Sequence, residues 1–134
     1  MARTKLPWLV AGVAVAATVV VLVATRGGGA GHHPVPRPGI TGARVLPASA
    51  FGEDERLVRA YEAARTMPEL FDGLYCYCHC KEDMGHVSLL TCYESEHAAS
   101  CDICLGEAAI AAQMHAAGAS LDDIRRAIDA RYKT

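Results

Sequence analysis

"SCDICLGEAAIAAQMHAAGASLDDIRRAIDARYKT", residues 100–134, reads as two helices joined by a short break. Ser100 can accept from the free N–H groups of the first helix, Asp102 suits the positive end of its dipole, and Gly118 supplies the residue that ends it. Alanine fills the span between, which favours helix without adding side-chain entropy. Ile103, Ile110 and Met114 fall on one face. The second helix opens with Ser120 and Asp123, the spacing of a capping box. Leu121, Ile124, Ile128 and Tyr132 recur at helical period.

Upstream, "EDERLVRAYEAARTM" repeats the pattern with Leu57, Tyr61, Ala64 and Met67 in phase and acids in the first turn. Pro68 then stops or restarts the helix. "PELFDGL" offers Leu70, Phe71 and Leu74 as an apolar patch, with Gly73 as terminator. "HVSLLTC", ending at Cys92, fits either a short helix or a strand. The expected fold is a mostly α, small Cys-rich helical domain of three to four short helices over residues 53–134. About eighty ordered residues make a thin core, and domains of that size are commonly stapled by disulfides or metal.

The first half of the chain differs. Residues 1–52 hold five basic groups and no acid; residues 53–134 hold eight basic groups against fifteen acids, leaving −7. An acidic domain argues against nucleic acid as partner, since phosphate binding needs clustered Lys and Arg. "LPWLVAGVAVAATVVVLVAT", residues 6–25, carries no charge and is long enough, at about 30 Å, to span the hydrocarbon core. Residues 1–26 are therefore expected to be a membrane anchor or a signal segment. No cysteine follows the apolar run to take a lipid. Residues 27–52, rich in Gly and Pro, are expected to be a flexible linker, with His32 and His33 solvated. The expected location is the cytoplasmic membrane, single-pass, with the domain on the extracytoplasmic side, or secreted if the N-terminus is cleaved.

All six cysteines lie between Cys76 and Cys104. "LYCYCHCKEDMGH", residues 74–86, spaces Cys76, Cys78 and Cys80 two apart and interleaves His79. An extended backbone would put these three sulfurs on one side. Cys92 follows, and Cys101 and Cys104 form a CxxC whose thiolates a helix N-terminus would stabilise. His86 and His97 lie between. The candidate metal ligands are Cys76, Cys78, Cys80, Cys92, Cys101, Cys104, His79, His86 and His97. Thiolates with imidazole and thioether select Cu(I), while thiolates with imidazole alone also suit Zn(II), so copper is the expected metal and zinc, or no metal, the alternative. Met84, expected in a turn, and Met114, more at home in the core, are weaker thioether candidates. His115 reads as a surface or packing residue, and Glu107 as a first-turn group answering its own helix. Cys104 is followed by Leu105, so no haem-attachment motif is present.

Two other readings stay open. Three disulfides could staple the domain; cysteines two apart rarely bridge each other, but Cys76, Cys78 and Cys80 could each find a partner among Cys92, Cys101 and Cys104. The CxxC could instead serve a thiol–disulfide oxidoreductase, although that motif normally accompanies a βαβ pattern. No catalytic set is legible, and a metal-donor or redox partner protein is the expected macromolecular contact besides the membrane.

"YCYCHC" (Tyr75–Cys80), Gly85–His86, Cys92, His97, "CDICLGEA" (Cys101–Ala108), and then Met114, Gly118, Ser120, Ile124–Arg125, Ile128–Asp129 and Tyr132 together resemble the small exported bacterial proteins named for a PCYCGC motif. The resemblance spans roughly residues 66–133. It departs at Tyr75, where the motif has proline, and at His79, where it has glycine. It implies export and an intact cysteine set, and it does not choose the metal.

Overall fold

A computed structural model describes residues 32–133. Among them are six α-helices, three 3-10 turns and no strand. The helices are α1 (Glu55–Thr66), α2 (Pro68–Asp72), α3 (Cys80–Met84), α4 (Leu89–Cys92), α5 (Asp102–Ala116) and α6 (Leu121–Tyr132). The 3-10 turns cover Gly42–Arg44, Ala48–Phe51 and Glu96–Ser100. The count exceeds the expected three to four because the loop after Cys76 and the segment after His86 each close a single helical turn.

The long helices follow their sequence signals. Asp54 caps α1 by accepting from the N–H groups of Arg56 and Leu57. Pro68 sits at the first position of α2, where its missing N–H costs nothing. Ser120 and Asp123 form the capping box of α6, which buries Ile124 and Ile128 completely. α5 differs in two respects. Its N-cap is Cys101, because Ser100 is taken up by the preceding 3-10 turn. Its buried face carries Cys104, Leu105, Glu107, Ala108 and Ala111, leaving Ile103, Ile110 and Met114 half-buried. The wealth of alanine hides the true inner face, and Gly106 marks it: a Cβ there would run into the Tyr132 hydroxyl, so glycine lets α6 lie close.

The core is aromatic at its centre. Tyr61, Phe71 and Tyr93 are fully buried; Tyr93 meets Tyr61 edge-on at 4.9 Å and Phe71 at 5.6 Å between centroids. Both tyrosine hydroxyls find backbone acceptors, Tyr61 at Ser95 O and Tyr93 at Cys104 O, each at 2.8 Å.

The segment expected to be a free linker packs against this body from residue 33 onward. Val45 is buried, its carbonyl accepts from Arg65 at 2.8 Å, and Leu46 N–H donates to Tyr93 O at 3.1 Å. Arg37 binds Asp72 through both its backbone N–H and its guanidinium. His33, expected to be solvated, has a fully buried side chain. Glycine and proline here shape a strap whose polar anchors offset its ordering entropy. The apolar run 6–25 lies outside the described residues, and no described helix is long and apolar enough to cross a membrane.

Candidate metal centre

Four separate segments deliver sulfur to one point. The first is the turn at Tyr77–Cys78. His79 there adopts φ 60° in the left-handed region, which reverses the chain and starts α3 at Cys80. The three sulfurs of this stretch converge through that reversal, where an extended backbone was expected. Gly85, also left-handed, closes α3 by donating to Lys81 O, and His86 N–H returns to Cys80 O at 3.4 Å. Ser88 and Thr91 then cap α4 reciprocally, which brings Cys92 Sγ to 3.7 Å from Cys80 Sγ. The 3-10 turn, held by Ser95 Oγ at His97 N–H, presents His97. Cys101 and Cys104 follow at the start of α5, with the Cys104 carbonyl fixed by Tyr93.

The sulfurs of Cys76, Cys78, Cys80, Cys92 and Cys104 all lie within 4.8 Å of one another. Cys76 Sγ is 3.2 Å from Cys78 Sγ and 3.4 Å from Cys104 Sγ. Two further groups meet the same 4.8 Å criterion: Cys78, His97, Cys101 and Cys104, and Cys80, His86, Cys92 and His97. His86 and His97 stand edge to face at 5.0 Å, and His97 Nε2 is 3.8 Å from Cys78 Sγ. Such Cys/His groups could hold a metal ion.

All six cysteines, His86 and His97 are thus gathered. His79 is not: its side chain is 72% exposed and faces Glu82. Met84 is exposed on α3, and His115 is exposed on α5.

Cys78 and Cys80 are joined as a disulfide, with Cα atoms 5.5 Å apart. The reversal at His79 makes this short-range bridge possible, contrary to the expectation for cysteines two apart. Cys76, Cys92, Cys101 and Cys104 are free thiols.

Cys76, Cys92 and Cys104 crowd one another, which favours their protonated forms. The Cys76 thiol is raised above the ordinary range by its hydrogen bond with Cys104 and by burial, although Cys92 pulls the other way. Cys104 is also raised: the downward pull of Cys76 is outweighed by Cys92 and burial. The helix N-terminus therefore does not make Cys104 a ready thiolate. Cys92 follows the same pattern, with Cys104 lowering and Cys76 and burial raising it. A cation entering this cage would displace protons, so its affinity would rise with pH.

Two polar groups beside the sulfurs complete the site. Glu107 is fully buried. Its Oε1 accepts the Tyr77 N–H at 2.9 Å, and its Oε2 has no hydrogen-bond partner. Burial pushes it up to about 7, against the pull of Tyr77 N–H and the nearby Cys76 thiol. Its carboxylate thus faces the cysteine loop, where its own first turn was expected. His86 Nδ1 is likewise buried without a partner, and burial, with His97 adding to it, lowers its basicity.

Behind the loop, Tyr75 N–H donates to His33 Nδ1 at 2.9 Å, so the ring proton sits on Nε2 and donates to Asp129 Oδ1 at 2.7 Å. Tyr77 OH donates to the same oxygen at 2.6 Å. This chain ties strap, loop and α6 together. No local sequence pattern announces it, because its members are far apart along the chain.

A family model described as "Protein of unknown function with PCYCGC motif" matches residues 38–134. The chain belongs to this family. The PCYCGC match begins well before the cysteines and takes in most of the strap, which the structure also shows to be part of the folded body. No curated protein and no solved structure matches the chain. The family's own motif now has a physical reading. Its glycine falls at His79, the left-handed residue of the reversal, where glycine pays no Cβ penalty.

Proposed function

We propose that the domain is a membrane-tethered, extracytoplasmic soft-metal-binding module, taking copper in preference to zinc, for sequestration, delivery or electron transfer. The observation that carries this reading is the meeting of five sulfurs within 4.8 Å, from the cysteine loop, α3, α4 and α5. Sulfur outnumbers nitrogen six to two among the gathered donors, and such a donor set favours Cu(I). The uncharged run at residues 6–25 supports the tether.

The test is native mass spectrometry of the full chain in detergent, reduced and then offered copper or zinc. Copper is expected on the wild-type chain at one ion or more, with less of it retained by Cys78→Ser. A chain that stays metal-free in both would overturn the reading.

One observation favours a second reading, a domain held by disulfides: Cys78 and Cys80 are already bridged. Intact mass of the oxidised chain decides it, since three bridges remove six hydrogens and leave no thiol for metal. An oxidoreductase draws less support, because that motif normally accompanies a βαβ pattern and no strand occurs among the described residues.

A further inference from the structure

Eight soft donors converge where one tetrahedral ion uses four. How they divide is constrained by which atoms are mutually close. Cys80, His86, Cys92 and His97 form a complete four-donor group within 4.8 Å. Setting these four aside leaves Cys76, Cys78 and Cys104, which are also within 4.8 Å of one another, with Cys101 equally close to Cys78 and Cys104. A single ion would therefore leave a second, nearly complete set of thiolates idle beside it.

We propose that the reduced centre is binuclear, with one soft cation held by Cys80, Cys92, His86 and His97 and a second held by Cys76, Cys78 and Cys104, Cys101 standing alongside. The proposal rests on the metal-binding reading of the same site and adds its stoichiometry and division of donors.

Three observations support this partition. Cys80 and Cys92 sulfurs are 3.7 Å apart, close to the edge of about 3.8 Å that a metal–sulfur bond of about 2.3 Å gives in a tetrahedron. His86 lies within the same group, and its Nδ1 is buried with no partner, a ring nitrogen that binding a cation through its neutral form would satisfy. Within the second set, Cys76 lies 3.2 Å from Cys78 and 3.4 Å from Cys104. The existing bridge joins Cys78 of one set to Cys80 of the other, so while it persists each ion lacks one thiolate. Loading requires that bridge to be reduced.

The test uses the full chain in detergent, reduced with a phosphine under argon, given copper(I) alone and weighed intact. Two ions per chain are expected. His86→Ala/His97→Ala should retain one, and so should Cys76→Ser/Cys104→Ser; retention of one ion shows that the rest of the cage still folds. Cys101→Ser should keep two. Saturation at one ion, or at three or more, overturns the binuclear assignment while leaving metal binding intact. So does a histidine double variant that holds two ions or none. No copper on the wild-type chain would instead defeat the metal-binding reading itself.

Discussion

Two carboxylates are sealed inside this small domain, one on the strap side and one on the sulfur side, and their surroundings are opposite. Asp72 is 1% exposed, yet both its oxygens are fully engaged. It accepts from Arg37 N–H at 2.7 Å, from the Arg37 guanidinium at 2.7 and 3.0 Å, and from Ser88 OH at 2.7 Å. Burial alone would raise it, but these donors hold it below the usual carboxylate range. Glu107 is equally buried, accepts one N–H, keeps an unpartnered oxygen, and is pushed up to about 7. A satisfied buried charge serves the fold. An unsatisfied one beside a ring of thiols is a cost tolerated where the site requires it.

The strap side should break hardest. Asp72→Ala strands the buried Ser88 hydroxyl and the Arg37 N–H and frees the strap from α2. Arg37 is 44% exposed at its side chain, so its charge can return to water, which moderates the loss. A destabilisation of about 3 kcal/mol is expected, read as a lower denaturation midpoint at pH 7. A change under about 1 kcal/mol would mean that the strap contributes little to folding.

On the sulfur side the same kind of experiment should give the opposite sign. Because the folded pKa of Glu107 lies above its ordinary 4.5, the native state holds the proton longer than the unfolded chain. Its contribution is present in acid and is lost as pH rises through about 7. Glu107→Gln mimics the protonated acid. In the reduced, metal-free protein it should be more stable than wild type by on the order of 2–3 kcal/mol at pH 8, with the gap closing toward pH 4.5. Denaturation at several pH values checks it; a gap that does not move with pH would place Glu107's cost outside protonation.

The contrast also explains what could be read from the chain beforehand. The capping box of Ser120 and Asp123, the Asp54 cap and the phase of Ile124 and Ile128 are local and periodic, so one-dimensional pattern finds them. Arg37 and Asp72 are 35 residues apart, and no period links them. The composition of residues 27–52 suggested a free tether because Gly and Pro mark both linkers and tight, pinned loops. The gathering of cysteines was legible from soft-ligand density, but not the reversal that achieves it, since histidine is a poor advertisement for a left-handed residue. Glu107 could have been flagged as a carboxylate on the alanine-rich inner face of α5, had that face been identified from Gly106.

His33 joins the two regions, and its expected effect is smaller. Its lowered pKa, set by burial against the pull of Asp129, gives it the linkage of a neutral buried imidazole. The contribution is intact above its ordinary 6.5 and is lost as pH falls below that value. His33→Ala removes two hydrogen bonds, to Tyr75 N–H and Asp129, and should cost about 1–2 kcal/mol at pH 7.5, with a smaller cost at pH 5.5. A cost that stays constant across this range would show that packing, not the neutral ring's hydrogen bonding, is what His33 supplies.

The finest distinction falls at His79, which sits in the cysteine loop without touching the centre. Its left-handed backbone at φ 60° strains any residue with a Cβ, at about 1–2 kcal/mol, while glycine gives back part of that gain through its freer unfolded chain. His79→Gly, which restores the motif's own residue, should therefore stabilise the fold by about 0.5 kcal/mol. It should leave metal stoichiometry unchanged, because the side chain is 72% exposed and directed at Glu82. Loss of a bound ion in this variant would move His79 into the ligand set and require the loop to close differently around metal. Equal loading with higher stability would confirm that the loop's geometry, and not this imidazole, is what the motif preserves.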